Sequence, residues 1–216
     1  MTLVLLYHGV TARSISCVGS GLENYNSKHI NVEYFYNQLK QLSRRCSFYS
    51  IDDLRDSWIR KRNLPDNSIV VTFDDGFLNN YITAAPILTE LDIPAVFYIS
   101  TGNIDESKMF WVDELEILFN SNISKCIEIS KDSDLHELFK SSHGNSDLYK
   151  IDLRDTEQSI KLLNRIKTIL KLKRPKLRAE IIKEISLLFG QPMMKFNNSY
   201  ADFGDYCLMN WNQVKK

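Results

Sequence analysis

The sequence lacks several features that would each indicate a particular class of protein. No apolar run approaches the roughly 18 residues that a membrane-spanning helix needs. The four cysteines are widely spaced and form no Cys-x-x-Cys pair, which argues against a zinc knuckle and a disulfide framework. We expect these thiols, Cys17, Cys46, Cys126 and Cys207, to be reduced and mostly buried.

The chain also has no excess of either charge, because Lys plus Arg number 27 and Asp plus Glu number 27. The net charge therefore gives no indication of a nucleic-acid partner. The apolar start of the chain is too short for a signal peptide and has no basic leader, so the sequence as written predicts a cytoplasmic protein. A start codon further upstream would leave room for an export signal.

The chain has the composition of a globular domain, with 216 residues, 44% of them hydrophobic and 25% charged. Apolar periodicity predicts strands alternating with helices over the first hundred residues. The predicted strands are buried runs at 3–7, 68–73 and 93–99 and a short strand at 48–50. The predicted helices are one that Asn31 caps and that runs through Phe35, Leu39 and Leu42, and two that span 51–61 and 77–91. Residues 11–30 read as a loop, and residues 68–99 predict a β-α-β unit with parallel strands.

The pattern changes after Gly102, where the chain becomes more polar and helical spacing dominates up to about residue 190. No further strand is expected in that stretch. Residues 157–173 predict one helix, and Pro175 begins another that ends near Gly190. Residues 161–183 are rich in Lys and Arg, which indicates either the solvated faces of two packed helices or a weak contact with an anionic surface.

Chemistry is concentrated in Thr72-Phe73-Asp74-Asp75-Gly76, where two adjacent carboxylates follow an apolar strand. Neighbouring carboxylates repel, and a bound cation would offset that repulsion. Gly76 permits a sharp turn directly afterwards. An Asx-turn or helix cap explains the same residues without any chemistry, so the pattern alone leaves both interpretations open.

The surrounding motifs resemble those of the polysaccharide deacetylases, the NodB-homology domains of carbohydrate esterase family four. The motif Val70-Val71-Thr72-Phe73-Asp74-Asp75-Gly76 carries most of this resemblance. It is preceded by Leu-Leu-Tyr-His-Gly-Val at 5–10 and followed by Ile-Pro-Ala-Val-Phe-Tyr-Ile-Ser-Thr at 93–101. Residues 110–116 are similar to the start of an insertion found in many members, and residues 208–214 to the return into the barrel.

The resemblance implies an α/β fold, a partial distorted (β/α) barrel with a helical insertion. Residues 1–104 would form the first part of the barrel, 105–205 the insertion and 206–216 the return, where the chain stops short of later family motifs. The implied reaction is metal-dependent hydrolysis of an N-acetyl group on a carbohydrate, with zinc the first choice among divalent cations.

Residue roles follow from the same resemblance. Asp74 matches the general base and Asp75 the carboxylate ligand of the metal. His8, Thr72 and Gly76 would line the active site. The other histidines, His29, His136 and His143, match no motif, and we expect them in surface or loop positions.

One family motif is missing, because no His-[Ser/Thr]-x-x-His occurs in the chain. A catalytic zinc site normally uses three protein ligands, so the site is expected to be incomplete and this truncated polypeptide inactive. The alternatives left open are a catalytically dead carbohydrate-binding or interaction protein, and an amidase that acts on a small non-sugar amide.

Overall fold

The computed structural model describes residues 2–12, 22, 24–106, 108–131, 133, 135–139, 148–190 and 204–215. They form two compact units. The first unit comprises Met1–Cys17, Asn26–Met109 and Phe196–Lys216, and the second Val18–Tyr25 and Phe110–Lys195. Cys17 and His143 lie outside the described residues. The predicted assignment of segments to a barrel and an insertion stays a prediction.

The first unit is built on a small parallel sheet, as the β-α-β pattern predicts. The strands of this unit are β1 (Thr2–Tyr7), β2 (Gly9–Thr11), β3 (His29–Asn31), β4 (Ser47–Phe48), β5 (Ser68–Phe73) and β6 (Ala95–Phe97), of which β1, β4, β5 and β6 form the sheet. Strand β5 pairs in parallel with β1 along its whole length, and with β4 and β6 at its two halves. Strands β2 and β3 form a separate parallel pair.

The helices of this unit are α1 (Val32–Leu42), α2 (Ile51–Ile59), α3 (Ala85–Glu90) and α4 (Thr101–Asp105), with a short helix at Trp211–Val214. Asn31 caps α1 as expected, because its side chain accepts a hydrogen bond from the amide of Glu33. Before α3 the backbone forms a π-helical segment, Asn80–Ala84. Pro86, the second residue of α3, has no N–H to donate, which suits a change of helix type there.

One face of the sheet carries the core of the first unit. Phe35 and Leu39 from α1 and Leu88 from α3 pack against Val71 and Phe73 of β5. Strand β1 was expected to be buried, but Leu3, Val4 and Leu6 are exposed. The physical reason is that, among the described residues, β1 pairs with a strand on one side only.

The second unit is mostly helical. It contains α5 (Trp111–Asn120), β7 (Cys126–Ser130), α6 (His136–Phe139), β8 (Leu148–Asp152), α7 (Thr156–Lys171) and α8 (Pro175–Leu188). Buried apolar side chains from α5, α7 and α8, including Leu115, Leu163 and Ile185, form a core of its own. No helix in the described ranges is long and apolar enough to cross a membrane.

The expectation that no strand follows Gly102 was wrong, because β7 and β8 form an antiparallel pair. The alternating pattern typical of a strand was present in Cys-Ile-Glu-Ile-Ser at 126–130, where the two isoleucines are buried and the residues between them are exposed. This alternation places Cys126 on the solvent side, so the expectation of mostly buried thiols was wrong for that residue.

Candidate functional site at the end of the central strand

Strand β5 delivers the two carboxylates to the carboxyl edge of the sheet. All six of its residues are buried, and its last residue, Phe73, lies in register with Tyr7 of β1 and Phe97 of β6. The ring of Phe73 stacks on Phe97 with centroids 4.7 Å apart and lies 5.3 Å from the ring of Tyr7. An aromatic layer therefore ends the sheet just before Asp74.

Asp74 extends the hydrogen-bond ladder between β5 and β1 by one residue. Its amide donates to the carbonyl of Tyr7 over 2.9 Å, which brings the chain at Asp74 beside His8, the residue that follows Tyr7. Both Asp74 and His8 are half-buried. The two predicted site residues are thus brought to the same edge by strand pairing, although they are far apart in sequence.

Asp75 occupies a strained turn. Its φ is +75°, and the amide of Gly76 donates to the carbonyl of Asp74 over 3.0 Å, which closes a three-residue γ-turn around Asp75. A positive φ is unfavourable for a residue with a Cβ, and such strain is often found at functional sites. Gly76 has a φ of +82°, and a Cβ there would lie 3.0 Å from Cγ2 of Ile99.

The segment 207–209 holds this turn from the other side. The amide of Met209 donates to the carbonyl of Gly76 over 2.9 Å, and the amide of Leu78 donates to the carbonyl of Cys207 over 2.7 Å. Phe77 and Leu208 form the antiparallel bridge between these two bonds. The turn that carries Asp75 is therefore fixed by residues from a distant part of the sequence.

A buried polar cluster supports the same region, and sequence reasoning missed it. The hydroxyl of Thr11 donates to Oδ2 of Asp205 over 2.7 Å, and Nδ2 of Asn79 donates to Oδ1 of Asp205 over 3.3 Å. Nδ2 of Asn79 also lies 3.0 Å from Nδ1 of His29. All four residues are buried, and we call them the Asp205 cluster.

His29 was expected in a surface or loop position, and this was wrong. It lies in β3, where its ring makes edge contacts with Phe77 at 4.7 Å and Tyr206 at 5.4 Å between centroids. Two aromatic neighbours and a polar cluster give this imidazole an interior environment that nothing in its local sequence reveals. His136 lies in α6.

The side chain of Thr72 is buried and hydrogen-bonds within the sheet. It is only 4% exposed, and its hydroxyl donates to the carbonyl of Leu5 over 3.1 Å. Gly76 is buried under Ile99, whereas His8 remains half-exposed at the edge. The assignment of His8, Thr72 and Gly76 to the lining of an active site stays a prediction.

The residues present do not by themselves fit a catalytic zinc ion. Within the described ranges, no group of three or more His, Cys, Asp or Glu side chains lies close enough to hold a metal. A zinc site needs about three protein donors with an open position, and the family resemblance assigns only one residue of this chain, Asp75, to that role. No catalytic step through a metal follows from this geometry.

The basic stretch 161–183 lies on α7 and α8. One of its cations is not on the surface, because Lys167 is buried and bonds to the buried carboxylate of Glu116. Lys161, by contrast, pairs with Glu157 on the exposed side of α7. Contact of this stretch with an anionic surface stays a prediction.

Comparison with known proteins confirms the resemblance that the motifs predict. A family model described as polysaccharide deacetylase matches residues 61–162, a range that includes both carboxylates. No curated protein matches the chain.

Several solved structures are similar to the chain. IcaB from Ammonifex degensii is 25% identical with a TM-score of 0.41, and the match covers 56% of this chain and 49% of that one, so it spans about half of IcaB. A de-N-acetylase from Aggregatibacter actinomycetemcomitans is 20% identical with a TM-score of 0.40, covering 75% and 74% of the two chains. The Streptococcus pyogenes deacetylase PplD, in complex with acetate, is 14% identical with a TM-score of 0.41, covering 96% and 81%.

Proposed function

Since residues 61–162 match the polysaccharide deacetylases, we propose that this chain contributes the carboxylate half of a deacetylase site. The substrate class is an N-acetylated carbohydrate, and the bond cleaved is the carbon–nitrogen bond of the acetamido group. The fold we propose around it is a partial distorted (β/α) barrel with a helical insertion at 105–205. One observation carries the proposal. Asp74 and Asp75 lie side by side at the carboxyl end of a central parallel strand, on a turn with positive φ.

The two carboxylates have different roles in this proposal. Asp74, held in line with the end of β1 by its bond to Tyr7, is the general base that accepts a proton from the attacking water. Asp75, on the strained turn, is the carboxylate ligand of a divalent cation, with zinc the first choice. Neither carboxylate has an ion-pair partner among the described residues, so a cation would relieve their mutual repulsion.

The small number of metal ligands limits the activity that we expect of the isolated chain. Without a His-[Ser/Thr]-x-x-His motif in its 216 residues, the polypeptide supplies too few ligands for tight zinc binding. We therefore expect no release of acetate when the purified chain is incubated with Zn²⁺ and an oligomer of N-acetylglucosamine. Acetate release above a protein-free blank would contradict the incomplete-site proposal.

Cation binding tests Asp75 directly. Calorimetric titration with Zn²⁺ is expected to give weak binding that Asp75→Asn abolishes, because the amide removes the charge yet still tolerates a positive φ. Asp92→Asn is the matched control, since Asp92 is another aspartate with a positive φ, of +53°. If the two variants bind Zn²⁺ equally well, Asp75 is not the cation ligand.

Two other functions remain as alternatives. A catalytically dead carbohydrate-binding or interaction protein would keep the fold without hydrolysis, and an amidase would act on a small non-sugar amide. Sequencing the source DNA past codon 216 discriminates, because an in-frame or frame-shifted His-[Ser/Thr]-x-x-His segment would complete the ligand set. Acetate release from the completed protein, compared between a sugar oligomer and a small acetamide, then separates the deacetylase from the amidase.

A further inference from the structure

Helix α2 carries a tryptophan that is unusually exposed to solvent. The periodicity of 51–61 places Trp58 on one face with Leu54, as expected for an apolar face turned inwards, yet Trp58 is 82% exposed. The helix has no buried residue at all. Single exposed apolar residues are common, but an exposed indole beside a cavity is a feature of binding sites.

A cavity of about 600 Å³ lies beside Trp58. This volume falls within the range of roughly 300–1,000 Å³ that is typical of small-ligand pockets. Its walls combine apolar side chains with a few polar ones, and they include Leu54, Leu64, Trp58, Arg62 and Asn63. We call it the Trp58 cavity.

The polar wall of the Trp58 cavity is fixed by the way α2 ends. Lys61 adopts a φ of +50°, its amide donates to the carbonyl of Trp58 over 3.0 Å, and the amide of Arg62 donates to the carbonyl of Ser57 over 2.9 Å. This pair of bonds is a Schellman motif with lysine in the position that glycine usually takes. The hydroxyl of Ser57 donates to the carbonyl of Arg62 over 2.5 Å and adds a third tie.

The charges at the cavity leave donors available for a neutral ligand. Arg55 is engaged by Asp52 at 2.9 Å and by Asp56 at 3.2 Å, so its charge is offset. The exposed side chains of Arg62 and Asn63 make no hydrogen bond or ion pair with any described residue. Together they offer guanidinium and amide N–H groups and one amide oxygen at the edge of an apolar floor.

We propose that the Trp58 cavity is a second carbohydrate-binding site, which holds a sugar ring of an N-acetylated polymer away from the Asp74–Asp75 turn. The apolar C–H face of a pyranose ring packs on the indole, while Arg62 and Asn63 hydrogen-bond to its hydroxyl or acetamido oxygens. An exposed indole and unengaged N–H donors around a volume of about 600 Å³ match a small polar ligand that has one apolar face. The inference rests on the proposed function for its choice of sugar.

The position of the cavity indicates the length of the substrate. Thr2, which lines the cavity, begins β1, whereas Asp74 follows the carboxyl end of the neighbouring parallel strand. Six residues of strand separate these ends by roughly 20 Å. A monosaccharide reaches only one of the two sites, so the second site favours polymeric substrates.

Binding of a β-linked N-acetylglucosamine hexasaccharide to the whole chain tests the proposal by calorimetry. We expect measurable binding that Trp58→Ala weakens by about tenfold or more, and that Trp58→Phe partly retains. Ile59→Ala is the matched control, because Ile59 is the next residue of α2, is 69% exposed and does not line the cavity. Circular dichroism confirms that each variant is folded.

The outcomes separate this proposal from the preceding one. Asp92→Asn should leave hexasaccharide binding unchanged, because Asp92 neither lines the Trp58 cavity nor belongs to the Asp74–Asp75 turn. Absence of binding by the unmodified chain, equal binding by Trp58→Ala, or an equal loss in Ile59→Ala would each overturn the Trp58 site. Binding that depends on Trp58, in a protein whose Asp75 binds no cation, would keep the carbohydrate site and reject Asp75 as the cation ligand.

Discussion

Replacement of Gly9 by alanine tests how closely the Asp205 cluster is packed. An ideal Cβ at Gly9 would lie 2.1 Å from Nδ1 of His29 and 2.6 Å from Oδ1 of Asn79. Neither neighbour can swing into solvent, because both side chains are buried. The new methyl group must therefore push apart the His29–Asn79 contact, and with it the link from Asn79 to Asp205.

Two costs determine the size of the effect. Forcing an extra methyl group into a filled interior costs about 1–3 kcal/mol. A buried polar group that loses its hydrogen bond costs about 1–3 kcal/mol more. We expect Gly9→Ala to lower the free energy of unfolding by about 3 kcal/mol, a large part of the ~5–15 kcal/mol of an ordinary domain.

Urea unfolding followed by circular dichroism measures this loss. With a slope of about 2 kcal/mol per molar urea, the midpoint should fall by about 1.5 M. Gly102→Ala is the control, because Gly102 lies within α4 and a Cβ there meets no atom within 4 Å. Alanine is the better helix former, so this control should unfold at an equal or slightly higher concentration. Equal midpoints for Gly9→Ala and the unmodified chain would refute the close packing of His29 against Gly9.

Two further predictions concern buried ionisable groups. Lys167→Met should cost about 3–5 kcal/mol of stability, because it removes the cation that bonds to the buried carboxylate of Glu116. The double variant Glu116→Gln/Lys167→Met should recover most of that loss in thermal unfolding, and a double variant as unstable as the single one would contradict the buried pair. Burial raises the pKa of Tyr7 to about 12, above the ~10 of an exposed tyrosine. The folded state therefore keeps this proton longer than the unfolded state, and stability falls as the pH rises from about 10 to 12. Tyr7→Phe should flatten that decline in urea midpoints, whereas Tyr34→Phe, an exposed control, should leave it unchanged.

The position of the two carboxylates could be predicted because its causes are local. The run Ser68–Phe73 is β-branched and aromatic, which favours a buried central strand. The residues that follow the strand must lie at its carboxyl edge, where parallel folds place their chemistry. The same logic predicted the β-α-β unit and the cap of α1.

Long-range packing explains the predictions that failed. His29 is buried because Phe77 and Tyr206 surround it, and no local pattern indicates that contact. The two isoleucines of β7 did alternate with polar residues, but their strand is defined by pairing with β8 about twenty residues later. Trp58 is exposed because little of the described chain packs over its side chain. Helical periodicity cannot reveal this lack of packing.

The sequence by itself determined the β-α-β unit at 68–99, its parallel pairing and the family resemblance, because periodicity and short motifs act over a few residues. Only the tertiary structure decided how Asp75 is held. Its positive φ depends on bonds from Ser100 and from the segment 207–209, which folding brings to the turn from far along the chain. A strained conformation needs such distant contacts to hold it in place, and distant contacts are what a linear pattern does not encode.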